Sequence, residues 1–149
     1  MDTGALFEGF SRVYPPSIFE GFWNSLSRLV ADNRLMVPEL ALEELRKLDP
    51  NLYKWVNSNK AMVIPASDTQ LEIATRRSTN FPVLIENPAA QSPSNPWVVA
   101  LAAEQGCGVV TEERRGSDSS PKIVQLSQSM GIECMRFLAI ADTEGWSFP

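Results

Sequence analysis

The chain has 149 residues, with 13 Lys and Arg against 18 Asp and Glu, no His, and a formal net charge of −5. That length reads as one domain over 1–149, large enough to hold a core without disulfide or metal staples. The acid excess excludes a protein that grips nucleic acid mainly by a basic surface, though not one that reaches phosphate through a metal held by carboxylates. The lack of His removes imidazole bases, Ser/His and Cys/His nucleophile pairs and every His-containing metal site.

Cys107 and Cys134 sit in apolar runs and are too few for a structural zinc site, so they are expected to be reduced core thiols of a cytoplasmic protein. No apolar run has the length of a membrane span. Met1-Asp2-Thr3-Gly4 has neither the basic nor the apolar region of a signal peptide.

The pattern along the chain alternates. Ile18, Phe19, Phe22, Trp23, Leu26, Leu29 and Val30 recur at helical spacing and predict a helix over 18–30. A short strand over 35–37 follows, and Pro38 is expected to open the next helix, carrying Glu43, Glu44 and Leu45. Asp49-Pro50 breaks it before a second helical piece over 52–56. A second strand is predicted over 61–64, then a helix through Arg77 with Ser67 and Gln70 as its capping box. The Pro-, Asn- and Ser-rich stretch 78–94 reads as loop. Asn95-Pro96 predicts a helix start, with Asn95 as cap and Pro96 in the first turn, ending at Gly106. A buried strand over 107–111, a polar loop over 112–120, a helix over 122–130 closed by Gly131, and a last strand over 132–138 complete the order. Trp23, Trp55 and Trp97 fall at core-like helical positions.

Short apolar strands between amphipathic helices mean α/β with a mainly parallel sheet, and such sheets bind ligands at the carboxyl ends of their strands. Asp2 at the chain start, Glu39, Glu43 and Glu44 after the strand at 35–37, and Thr111, Glu112 and Glu113 after Val110 occupy such positions. Oxygen donors without imidazole suit Mg²⁺ or Mn²⁺. Glu43 and Glu44 also fit the solvated side of an amphipathic helix, and Glu112 and Glu113 fit loop charges balanced by Arg114 and Arg115.

Asp2-Thr3-Gly4-Ala5-Leu6-Phe7-Glu8 resembles the opening of a PIN domain, whose Asp-Thr-Asn follows the first strand. Val37-Pro38 through Glu44-Leu45 resembles the second PIN motif. Asn95-Pro96-Trp97 through Ala102 resembles the third, and Val109-Val110-Thr111-Glu112-Glu113 the fourth. The stretch from Tyr14-Pro15-Pro16 to Phe22-Trp23, with Lys122-Ile123, looks like a PIN-like bacterial family placed among toxin–antitoxin ribonucleases related to the VapC type. The resemblance implies a three-layer α/β/α fold and a metal-dependent RNA endonuclease, the toxin of a pair with an antitoxin protein. Carried over by position, Asp2, Glu44 and Glu113 would hold one or two Mg²⁺ or Mn²⁺ ions, Asn95 would be a weakened fourth member, and Thr111 would fix the loop or the attacking water. Glu43 competes with Glu44, and Glu112 with Glu113. Arg114, Arg115 and Lys122 are candidate contacts to RNA phosphates.

Three positions depart from that pattern. Asn95 stands where the family usually has Asp, which weakens cation binding. Gly4 stands where Asn is usual. The strand that should precede Asp2 is truncated or missing, so the start is expected to lie upstream or Asp2 to be held loosely beside unpaired sheet neighbours. The rival expectation is a PIN-like module with little or no catalysis that binds RNA or a protein partner. A small-molecule binder in the same crevice is a third. A homodimer is a further expectation, from the aromatics between Tyr14 and Phe22. An aspartic protease, suggested by Asp2-Thr3-Gly4, needs a β-rich chain, and Gly106-Cys107-Gly108 is too short for a phosphate loop.

Overall fold

The alternating pattern folds as a mixed α/β structure, mainly helical, with short parallel strands. The computed structural model describes residues 1–80, 93–119 and 121–148. Among the described residues, β1 (Val37–Pro38) pairs with β2 (Val63–Ile64), and β3 (Val109–Val110) pairs with β4 (Cys134–Met135), both in parallel. Each predicted strand exists at its place but is only two residues long. The first residues join the two pairs: the Met1 amine donates to the Met36 carbonyl at 2.9 Å and the Asp2 amide to the Val110 carbonyl at 3.0 Å. Asp2 is 1% exposed. The expectation of a loosely held Asp2 is therefore overturned, because its backbone is tied to β3 and its side chain caps a helix.

That helix, α1 (Thr3–Phe7), is followed directly by a π-helical turn, Glu8–Val13, closed by the Tyr14 amide on the Gly9 carbonyl at 2.9 Å. Helical structure thus begins well before residue 18. Gly9 has a steric reason: a Cβ there would lie 2.6 Å from the Phe137 ring. The chain then turns at Pro15, whose carbonyl accepts from the Ile18 and Phe19 amides, into α2 (Glu20–Ala31). Phe22, Trp23, Leu26, Leu29 and Val30 are buried as their spacing demands, whereas Ile18 and Phe19 precede the helix and are exposed.

Pro38 does not open a helix. It lies in β1 with extended backbone (φ −70°, ψ 146°), and a 3₁₀ turn (Glu39–Ala41) leads into α3 (Leu42–Leu48). Asp49 caps α4 (Pro50–Ser58), accepting from the Asn51 and Leu52 amides at 2.8 and 3.2 Å. A 3₁₀ turn (Lys60–Met62) precedes β2, and α5 (Asp68–Asn80) follows. The capping box at its start is half formed. The Ser67 hydroxyl accepts from the Gln70 amide at 3.0 Å, but the Gln70 side chain donates to Glu104 at 2.6 Å instead of reaching back. Residues 78–80 are helical where loop was expected; most of the remaining stretch lies outside the described residues.

The next helix, α6 (Asn95–Gln105), packs against α5 and ends at Gly106 with φ 66°, the left-handed stop that glycine allows. Ser94, not Asn95, is its cap residue. After β3, α7 (Ile123–Gln128) closes at Gly131 (φ 70°) and β4 follows. The predicted last strand ends early, in a turn over 137–138, and a final helix, α8 (Ala139–Glu144), follows, burying Ile140 and Ala141.

Two cores result. The larger joins α1, α2, α3, α4, β1 and α8, and includes an aromatic cluster in which Trp23 meets Trp55 edge-on at 4.8 Å and Phe10 at 5.1 Å. Phe137 packs on Phe22 at 5.3 Å and stacks on Tyr14 at 6.1 Å. The smaller joins Val98, Val99 and Ala102 of α6 to Val109, Ile123 and Leu126. Trp23 is buried, while Trp55 and Trp97 are half-buried. Both cysteines are free thiols, but Cys107 is exposed and so not a core thiol, whereas Cys134 is half-buried against the smaller core. Among the described residues no helix is long and apolar enough to cross a membrane.

Candidate functional site

The sheet geometry brings four distant segments together beyond the strand ends. Asp2 caps α1 through its Oδ1, which accepts from the Ala5 amide at 2.6 Å. Its amide donates to the carbonyl of Val110, next to Thr111, at 3.0 Å, and the Thr111 side chain favours the charged form of the Asp2 carboxyl. The Thr111 oxygen accepts from the Glu113 amide at 3.0 Å. Glu113 Oε1 accepts from Asn95 Nδ2 at 3.2 Å. From Asn95 the chain steps back to Ser94, whose amide and hydroxyl donate to Glu44 at 2.7 and 3.1 Å. Glu44 also accepts from the Thr3 hydroxyl at 2.9 Å, and Thr3 adjoins Asp2. Asp2, Thr111, Glu113, Asn95 and Glu44 thus belong to one closed circuit of hydrogen bonds and chain neighbours.

The competing acids lie elsewhere. Glu43 is exposed and paired with Arg46 at 2.8 Å and Lys47 at 3.6 Å. Glu112 accepts from the Phe137 amide at 2.7 Å and pairs with Arg136 at 3.1 Å, tying the 112–114 loop to the start of α8's approach. Helix phase separates the first pair: residue 44 lies one turn beyond buried Ala41, so it faces inward, and residue 43 does not. Thr3 and Ser94 are members of the circuit that sequence reasoning missed. Their only signal is adjacency to Asp2 and Asn95.

Asn95 is 1% exposed, and its Oδ1 is buried without a hydrogen-bond partner. As the first residue of α6 rather than its cap, it turns its amide to Glu113 instead of to the helix amides. A buried, unpaired amide oxygen is costly and needs a reason. Glu44, by contrast, is held by three donors. Among the described residues no three Asp, Glu, Cys or His side chains gather as a metal-binding group.

Burial pushes the Asp2 carboxyl above its ordinary range. The Thr111 hydroxyl and the Ala5 amide oppose this by favouring the charged form, and the nearby Glu113 charge adds to it. A carboxyl raised in this way stabilises the fold when protonated. The contribution is complete below the unfolded value of about 3.9 and is lost as pH rises through the higher folded value. Asp2→Asn keeps the shape without the charge. It is expected to raise Tm at pH 7 by a few degrees, on the order of 1 kcal/mol, and to lose that advantage below about pH 4. Thermal melts in EDTA across pH check this; a variant less stable at every pH would contradict it.

Residues 1–148 match the model of a family described as a domain of unknown function (DUF4411). No curated protein and no solved structure matches the chain.

Proposed function

The chain belongs to the DUF4411 family, and we propose that it is a divalent-metal-dependent endoribonuclease with a PIN-like, three-layer α/β/α build, acting as the toxin of a bacterial toxin–antitoxin pair. The observation that supports this reading is the closed circuit through Asp2, Thr111, Glu113, Asn95 and Glu44, which unites all four motifs of the resemblance at the strand ends.

The donor set suits Mg²⁺ or Mn²⁺. Every donor is an oxygen, and the unpartnered Asn95 Oδ1 is an atom that a cation would satisfy. Asp2 and Glu113 would hold the ion with that oxygen; Glu44 would join by giving up its Thr3 and Ser94 donors. The bound ion would supply an activated water and charge neutralisation at the cleaved phosphate. The chain's own residues do the positioning. Thr111, beside the Val110 carbonyl that holds the Asp2 amide, orients the Glu113 backbone with its oxygen. Asn95 fixes Glu113 Oε1, and Thr3 with Ser94 fix Glu44 against α6.

The test is cleavage of a mixed RNA substrate by the purified chain with Mn²⁺ or Mg²⁺. EDTA, Asp2→Asn and Glu113→Gln are each expected to lower cleavage by about 10²-fold or more, the scale of losing electrostatic stabilisation at a reacting centre. Because Asp2→Asn is also expected to be the more stable protein, its inactivity would not reflect unfolding. Cleavage that survives EDTA and both variants overturns the reading. A second reading, a PIN-like module that binds RNA or a protein partner with little catalysis, is favoured by the neutral Asn95 and the fully engaged Glu44. RNA bound but never cut would select it.

A further inference from the structure

We infer that the cleft beside Glu113 is the track for single-stranded RNA next to the cleaved bond, with Arg114 on a phosphate and Tyr14 beneath a base; RNA as the ligand rests on the function proposed above. The cleft has a volume of about 490 Å³. Gly9, Val13 and Tyr14 of the π-turn region form one side, and Glu113, Arg114 and Arg136 the other. An adjoining hollow of about 250 Å³ shares Glu113, Arg114 and Arg136 and adds Arg115. Three arginines therefore border Glu113 where it opens to these two hollows.

The local ion pairs leave Arg114 unengaged. Glu8 is paired with Arg12 at 2.7 Å, and Glu112 with Arg136 at 3.1 Å, so the two other cleft acids are balanced. Arg114 is exposed and makes no ion pair among the described residues. A guanidinium left unpaired at the rim of an acidic centre is suited to a phosphate diester, which it can meet with two parallel donors. Tyr14 is half-buried: its ring lies near parallel to Phe137 (14°) and also meets Phe19 edge-on at 5.4 Å and Phe22 at 5.9 Å. Its carbonyl is held by the Trp23 indole at 2.6 Å. A ring fixed in this way meets a base only with the part that lines the cleft, and holds that part there at little entropic cost. Close approach at Gly9, where a side chain would strike Phe137, keeps this wall of the cleft seated on that ring.

The experiment measures binding of a fluorescently labelled single-stranded RNA of mixed sequence to the full chain in EDTA, as a salt titration. Arg114→Ala is expected to weaken binding about tenfold at low salt and to reduce the slope of log K against log salt by about 0.7, the value for one phosphate contact on a single strand. Tyr14→Ala is expected to weaken binding about tenfold while leaving that slope unchanged, since stacking carries no counterion. Lys54→Ala, on exposed α4 outside the cleft, serves as the control and is expected to leave both unchanged. Arg114 is exposed, so its variant tests the inference even if Tyr14→Ala fails to fold. Unchanged affinity and slope in Arg114→Ala, or no binding by the parent chain, overturns the RNA track. Binding that depends on Arg114 without any Mn²⁺-dependent cleavage upholds the track and removes the nuclease. Cleavage with Arg114→Ala equal to the parent does the reverse.

Discussion

Asn95→Asp is expected to unfold more easily than the parent in EDTA and to recover with Mn²⁺. In the parent, Asn95 Nδ2 donates to Glu113 Oε1 at 3.2 Å inside a site where Asn95 is 1% exposed. The substitution turns that donor into an oxygen, so two carboxylates face each other, with Asp2 close by. Like charges at such a distance cost about 5 kcal/mol at an effective dielectric of 20, and partial protonation recovers some of it. The expected loss is about 2–4 kcal/mol, or about 5–15 °C in Tm for a domain of this size. A divalent ion reverses the sign, because each added carboxylate tightens its binding and binding stabilises the folded chain by mass action. Melts with and without Mn²⁺ check both halves. A variant as stable as the parent in EDTA would mean that the 95 and 113 side chains do not meet. A variant that Mn²⁺ fails to rescue would mean that no cation site forms there. If the site is active, the same variant is expected to cut RNA faster than the parent at limiting Mn²⁺.

Trp23→Ala is expected to be strongly destabilising. Trp23 is buried between Phe10, Phe22, Trp55 and Phe137, and its indole nitrogen donates to the Tyr14 carbonyl at 2.6 Å. Emptying such a site costs about 3–5 kcal/mol, against a total of about 5–15 kcal/mol for an ordinary domain. Trp23→Phe keeps much of the ring and loses the donor, which leaves the Tyr14 carbonyl short of a partner; about 1–2 kcal/mol is the expected loss. Urea unfolding of the two variants separates packing from hydrogen bonding. Equal losses would mean that the indole donor, not the ring volume, carries the effect.

Much of the fold was legible because helices leave a long periodic trace. The apolar positions from Phe22 to Val30 place α2 within about two residues, and Asp49-Pro50 marks the break between α3 and α4, though α4 begins at Pro50 rather than at Leu52. The missed elements are those whose traces are too short to show a period. α1 is five residues long. The π-turn follows a different repeat altogether, and α8 holds one apolar pair after a run that reads equally as strand. Pro38 and Asn95 failed for a shared reason. Local propensity puts Pro in a first helical turn and Asn at a cap, but partners far along the chain outrank it: Ile64 pairs with Pro38, and Glu113 takes the Asn95 amide. The site was legible as a set of positions because parallel strands bring their carboxyl ends to one side. Its wiring was not, since Thr3 and Ser94 carry no pattern of their own, and Arg136 belongs to a loop that only the β3–β4 pairing brings beside Glu113.

The circuit around Asp2 also sets an order of events during synthesis. Its members come from the first residues, α3, the start of α6 and the loop after β3, so no earlier fragment of the chain contains it. A ribosome must release everything through Glu113 before the carboxylates can assemble, and the aromatic core waits longer, for Phe137 and Trp146. Contacts of such wide sequence separation form late and together. A nascent chain that has not yet released Glu113 therefore carries some of the acids of the site but not the site itself.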